Sequence, residues 1–255
     1  MPWTAHYDRL PVAVYDANED LGAAAAGDLA AILARTIAER GEAAVILATG
    51  NSQLAFLRAL RGRADVDWQR VRVLHMDEYL GMDERHPASF RRYLREQLVD
   101  AVRPLAFYGI AGDAPDAAAE LRRYAGLLAE HAPAACVLGI GENGHLAFND
   151  PPADFGTGEA IHVVALDEAC RRQQVGEGHF PSLEAVPTHA ISLTVPALLR
   201  PPHVLAVVPE ARKAPAVRAA LEGPVTPACP ASILRTAAHA RLYLDRDSAA
   251  LLGRG

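Results

Sequence analysis

Cysteine is scarce in this chain. Cys136, Cys170 and Cys229 are the only three in 255 residues, widely spaced and odd in number, with neither a CxxC pair nor a histidine-bearing zinc pattern. A disulfide scaffold is thereby excluded, and a reducing cytoplasm is the expected compartment. No stretch reaches the ~20 uninterrupted apolar residues of a membrane span. The start carries Asp8, Asp16, Glu19 and Asp20 where a secretory signal would have a basic segment followed by an apolar one. Like charges are nowhere concentrated: the net charge is -6 and the pI about 5.9, so neither a nucleic-acid nor a membrane surface is expected. Internal repeats and low-complexity tracts are missing too. Partners are expected to be small molecules or further copies of the chain.

What the chain does have is apolar substance, 51% of its residues, enough for one compact domain spanning 1–255. Short β-branched runs at 12–15, 43–48, 71–76, 135–140, 203–208 and 241–244 are the candidate strands. Runs apolar on both faces suit a parallel sheet covered by helices. Between the first two, Leu29, Ile32, Leu33 and Ile37 recur at helical spacing among alanines, which predicts a crossover helix. Ser89 is placed to start a helix through Tyr93, Leu94, Gln97 and Leu98, and another is expected from Lys213 to Leu221, stopping at Gly223. The fold class is therefore α/β. The proline- and glycine-rich stretch 151–187 leaves this rhythm, and excursions of such length are often lids over a site.

Three segments could carry chemistry. Thr49, Gly50, Asn51 and Ser52 form a small polar turn between a strand and a helix. Free N–H groups and hydroxyls there suit a phosphate, although Ser and Asn also cap ordinary helices. Next, the strand ending at His75 and Met76 runs into Asp77, Glu78 and Tyr79. A carboxylate at the carboxyl end of a parallel strand faces the ligand crevice and could be a general base, or could simply cap the following helix. A metal reading of His75, Asp77 and Glu78 lacks a third ligand at a recognisable spacing. Last, Gly139, Gly141 and Gly144 fit the GxGxxG dinucleotide pattern. Asn149, Asp150, Pro151 and Pro152 break the chain before a helix can form, however, which argues against a dinucleotide. What remains is a glycine-rich strand end presenting His145 and Asp150. Arg171, Arg172, Arg212 and Lys213 are weaker candidates, the last two at a helix start where they could face the same crevice.

Read in order, these segments resemble the glucosamine-6-phosphate deaminase family, whose superfamily includes the 6-phosphogluconolactonases. The ordered set carries the likeness: Thr49-Gly50-Asn51-Ser52, Met76-Asp77-Glu78-Tyr79, His86-Pro87-Ala88-Ser89-Phe90, the stretch from Gly139 to Pro151, and Lys213. The resemblance implies a doubly wound, mostly parallel Rossmann-like sheet with helices on both faces, and a reaction using no metal and no cofactor. It implies that Asp77 moves a proton between C2 and C1 of the opened sugar and that His145 opens the ring. It further implies that Thr49, Gly50, Asn51, Ser52 and Lys213 hold the phosphate, with Arg172 as an addition. Family members are often oligomers. The expected reaction is glucosamine 6-phosphate to fructose 6-phosphate and ammonia.

The chain departs from the family's pattern. Asn143 stands where an aspartate is usual, Asp150 where a glutamate is, and Asn51 where a glycine is. Asparagine orients a ring nitrogen without supplying charge, so Asp150 is the expected charged partner of His145, and Asn143→Asp is expected to raise activity or shift its pH profile. Asn51 is expected to tolerate a positive φ. Three rival functions remain: a 6-phosphogluconolactonase, a sugar-phosphate sensor without chemistry, and an enzyme for a related sugar such as galactosamine 6-phosphate. The residues after His145, Leu146-Ala147-Phe148-Asn149-Asp150-Pro151, disfavour the lactonase.

Overall fold

The computed structural model describes residues 3–253. An edge hairpin of β1 (Trp3–Tyr7) and β2 (Leu10–Tyr15) leads to α1 (Asn18–Arg40), β3 (Ala43–Leu47), α2 (Leu54–Arg61) and β4 (Val71–His75). After one residue the chain enters β5 (Asp77–Tyr79), then α3 (Phe90–Leu94), which continues through a π-helical turn (Arg95–Val99) into α4 (Asp100–Val102). Next come β6 (Ala106–Tyr108), α5 (Ala117–His131), β7 (Ala135–Leu138), β8 (Ile161–Ala165) and α6 (Glu168–Gly176). The chain closes with β9 (His189–Leu193), α7 (Val195–Leu199), β10 (His203–Val208), α8 (Ala214–Glu222) and β11 (Ala240–Asp245).

Eight strands form one sheet in the order β1-β2-β11-β10-β7-β3-β4-β6, parallel throughout except for the antiparallel edge pair β1–β2. All six expected strands lie in it. Strand alternation divides the interior between two cores. Ala44 and Ile46 of β3, Cys136 and Leu138 of β7, and Val204 and Ala206 of β10 point into one. Val45 and Leu47, Ala135 and Val137, and Leu205 and Val207 point into the other. Helices therefore have to cover both faces, which makes this a doubly wound α/β fold. By length and composition α1 could cross a membrane, yet Leu21, Leu29 and Leu33 are wholly buried in the second core.

The chain builds outward from β3 to β4 and β6, then returns to place β7 on the other side of β3 and continues to β10 and β11. The reversal lies between β3 and β7, and crevices at such a point beyond the carboxyl ends of the strands are where sheets of this kind bind ligands. A second sheet, β5-β9-β8, is antiparallel and packs over a third apolar cluster that includes Tyr79, Phe90, Phe148 and Phe180. The stretch 151–187 is thus not a bare loop: it contributes β8 and α6 to this smaller layer.

Candidate active site

One pocket opens at the reversal point, lined by Thr49, Gly50, Asn51 and Ser52 after β3, by Asp77 after β4, by Gly139, Gly141 and His145 after β7, and by Lys213 before α8. Each lies just beyond the carboxyl end of a parallel strand, so the fold alone brings together residues up to 164 positions apart in sequence. Phe90, Phe148, Gln173, Gln174 and Glu177 complete the wall.

The turn after β3 is made by Gly50, whose φ of 98° only glycine adopts freely. Asn51 therefore needs no positive φ, contrary to expectation; it begins a short helical turn through Gln53. The Tyr93 hydroxyl donates to the Gly50 carbonyl at 2.7 Å and fixes the turn. Across from it stands Lys213, 3% exposed, whose ammonium has no hydrogen-bond or ion-pair partner among the described residues. Burial and the neighbouring Arg212 lower its pKa. An ammonium left bare in a pocket is a site for an anion.

Asp77 and Glu78 have separate fates. Glu78 is fully buried and accepts from the Ser89 hydroxyl at 2.8 Å and from the N–H groups of Phe90 and Arg91 at 3.2 Å each. It holds the start of α3, where an anion is favoured. Asp77 faces the pocket. Burial, reinforced by the charge of Glu78, pushes its carboxyl up to about 8, the behaviour of an acid poised to exchange protons near neutrality. His75 points away: its Nε2 accepts from the Ile110 N–H at 2.8 Å, and burial drives its pKa down to about 3. It is a neutral packing residue and does not join Asp77 and Glu78 in a metal site.

His145 lies against the backbone of Gly141, where any Cβ would fall 2.2–2.4 Å from its ring. Its Nδ1 is 3.2 Å from Asp150 Oδ1, close but off the axis of an aligned hydrogen bond. Among the described residues Asn143 makes no hydrogen bond to the ring. Its Oδ1 accepts from the His145 N–H at 3.0 Å, and its Nδ2 donates to Asp150 at 3.0 Å and to Asp167 at 3.3 Å. Burial alone would raise the Asp150 carboxyl; His145, Asn143 and the Asp167 N–H outweigh it and hold the group below its ordinary pKa. His145, Asp150 and Cys170 place ligand atoms within 4.8 Å of one another. Asp150 is already engaged by Asn143 on one oxygen and by the Asp167 N–H on the other, which suits a proton dyad better than a cation.

Arg172 is the sequence candidate that falls outside. Its guanidinium lies on the exposed side of α6, paired with Glu168, because the turn of the helix directs Gln173, Gln174 and Glu177 inward instead. The arginine beside the phosphate-type turn is Arg212, whose Nη2 is 3.5 Å from Ser52 Oγ. Glu142, Glu177 and Glu210 surround it. Sequence reasoning missed Gln173, Gln174 and Glu177 because they lie in the stretch without strand or helix rhythm; the pairing of Asp167 with Glu168 as a helix start was the available signal.

Residues 16–244 match the family described as glucosamine-6-phosphate isomerases/6-phosphogluconolactonase. The chain belongs to that family. Among relatives in it, a glucosamine-6-phosphate deaminase from Exiguobacterium sibiricum is 37% identical over 206 residues, 81% of this chain and 80% of that protein. One from Bacillus cytotoxicus is 31% identical over 220 residues, 86% and 82% of the two chains. A solved monomeric glucosamine-6-phosphate deaminase superposes with a TM-score of 0.85 at 31% identity, covering 94% of this chain and 99% of its own. A 6-phosphogluconolactonase from Shewanella baltica shares the family fold at a TM-score of 0.76 and 20% identity, over 94% and 99% of the chains.

Proposed function

We propose that this chain is a glucosamine-6-phosphate deaminase, converting an amino-sugar phosphate to fructose 6-phosphate and ammonia. The observation that carries the assignment is the sharing of one pocket by an unpaired ammonium, Lys213, and a carboxylic acid raised to about 8, Asp77, with His145 beside it. The anion end is Lys213 with Thr49, Gly50, Asn51 and Ser52. The proton-transfer end is Asp77 and the His145–Asp150 pair.

The chemistry follows from what each end can do. The phosphate, bound at Lys213 and the turn, supplies binding energy remote from the reacting carbons and fixes the sugar in place. His145 accepts the O1 proton and donates to the ring oxygen as the C1–O5 bond breaks; Asp150, held by Asn143, is the charge next to the ring. Asp77, as carboxylate, takes the proton from C2 and returns one to C1, converting the aldehyde with its neighbouring amine into a ketimine. Water adds to the ketimine and ammonia leaves. The steps are ring opening, proton transfers, addition of water and loss of ammonia, with no net change of oxidation state, so the assignment calls on neither metal nor redox cofactor. The segment 151–187 covers the pocket through Gln173, Gln174 and Glu177. A charged sugar phosphate does not pass an apolar bilayer, so the enzyme acts in the compartment where its substrate is made, which in this reading is the cytoplasm.

Incubation with glucosamine 6-phosphate, assayed for ammonia and fructose 6-phosphate, tests the assignment, with 6-phosphogluconolactone supplied in parallel. Both products are expected in equal amounts. Lactone hydrolysis without ammonia release would transfer the chain to the lactonase branch. Turnover of galactosamine 6-phosphate alone would leave the mechanism standing and change the sugar.

A further inference from the structure

The anion end of the pocket already contains an anion. Glu177, at the end of α6, is 7% exposed at its side chain. Its carboxylate accepts from Arg212, from Gln173 Nε2 at 2.7 Å, and lies 3.2 Å from His179 Nε2. A Cβ built on Gly50 would stand 4.0 Å from Glu177 Oε2, and the Asn51 side chain donates to the Glu177 carbonyl at 3.2 Å. The carboxylate therefore sits against the turn that the sequence marks for a phosphate. Arg212, the guanidinium nearest that turn, is meanwhile committed to Glu142, Glu177 and Glu210.

A second feature shows that this arrangement is imposed. Glu210 has φ 84°, a conformation unfavourable for any residue with a Cβ. It is held there by its N–H donating to the two carboxylate oxygens of Asp245, at 3.2 and 3.0 Å. In that pose Glu210 reaches both Arg212 and the Ser52 hydroxyl, the latter at 3.3 Å. Backbone strain is thus maintained at the point where the guanidinium is kept beside the turn and neutralised.

We propose that Glu177 is a specificity-determining residue: its carboxylate is a resident anion in the phosphate subsite, and a ligand binds there only by displacing it from Arg212. This rests on the sugar-phosphate assignment above. A phosphate dianion can do so, since it brings two charges and three acceptor oxygens to Arg212 and the bare Lys213. Sugars without a phosphate, having nothing to exchange for the carboxylate, are rejected. Discrimination is achieved by an internal competitor that only the correct group outbids.

Titration calorimetry with inorganic phosphate, on wild type, Glu177→Gln, Glu177→Ala and Lys213→Ala, tests the proposal, with KM and kcat for glucosamine 6-phosphate measured alongside. Glu177→Gln keeps the shape of the side chain, and thermal melts report whether each variant is folded. Both Glu177 variants are expected to bind inorganic phosphate at least about tenfold more tightly than wild type, with a lower KM and a smaller change in kcat. Lys213→Ala is expected to lose phosphate binding. If Lys213→Ala loses binding while the Glu177 variants bind phosphate as wild type does, the resident-anion proposal is overturned and the phosphate subsite stands. A raised KM in folded Glu177 variants overturns it as well and gives Glu177 the task of holding a cationic group of the substrate. Phosphate binding indifferent to both positions overturns the proposal together with the phosphate subsite.

Discussion

At the scale of single residues, the site is decided by which way charged side chains point. Asp77 and Glu78 are adjacent, yet one holds a helix start and the other faces the pocket; the strand alternation that separates them is legible in the sequence, but the assignment of faces is not. Burying Asp77 has a consequence for stability. Between its ordinary pKa near 4 and its folded value of about 8, the native state holds a proton that the unfolded chain has released, so stability falls as pH rises through that window. Asp77→Asn removes the effect. Its melting temperature is expected to exceed that of wild type at pH ~9, by about 2–4 °C for each kcal/mol recovered, and to converge with it toward pH ~4. Equal melting temperatures at both pH values would show that Asp77 is not desolvated. Asn143 reverses its expectation. The sequence suggests that Asn143→Asp restores a charge to His145, but in the structure Nδ2 donates to both Asp150 and Asp167. An aspartate there loses both bonds and adds a third carboxylate to two, so lower stability and reduced turnover are expected. Melting curves and ammonia release check this, and a more active variant would refute it.

At the scale of elements, the site belongs to loops whose positions the parallel sheet dictates. The six central strands and the helices α1, α2, α3 and α8 are legible because buried runs and helical spacing are strong signals: β3, β7 and β10 are apolar on both faces. Several of the elements left unread lack that signal, whereas α5 and the buried β9 go unread although their residues carry it. β5 and β6 have three residues each, β8 alternates between buried and exposed positions, and β1 is an exposed edge. For the same reason α6, and with it Glu177, is not legible; Arg172 is expected at the phosphate from the family resemblance alone, and its outward-facing phase on α6 can be read only once that helix is known. The glycine-rich segment after β7 makes a sharper prediction. Gly141→Ala would force the His145 ring aside, since the added Cβ meets it at 2.2–2.4 Å. A displacement of ~1 Å costs on the order of 10²-fold in rate. Phosphate affinity, set at the other end of the pocket, should stay unchanged; loss of phosphate binding in this variant would mean that the two ends are not independent.

For the whole molecule, pH joins the site to the fold through groups of opposite sign. Glu177 is held down to about 2: burial opposes this, and His179, Arg212 and Gln173 outweigh it. Its contribution to stability is therefore present above its ordinary pKa near 4.5 and lost as pH falls toward 2. Asp77 acts in the other direction and, in its proposed role as the base, also governs activity, because only a carboxylate can take a proton from C2. In the free enzyme kcat/KM is expected to rise as pH increases through about 8, and a flat profile from pH ~6 to pH ~9 would contradict the assignment of Asp77 as base. The central claim is that one pocket joins a phosphate-holding end to a carboxylate that moves the C2 proton. Steady-state ammonia release from glucosamine 6-phosphate by wild type and Asp77→Asn, with binding of the sugar phosphate measured on both, tests it most directly. The account predicts turnover in the wild type, a loss of about 10³-fold in the variant, and binding within a few-fold of wild type; turnover retained without the carboxylate would contradict it.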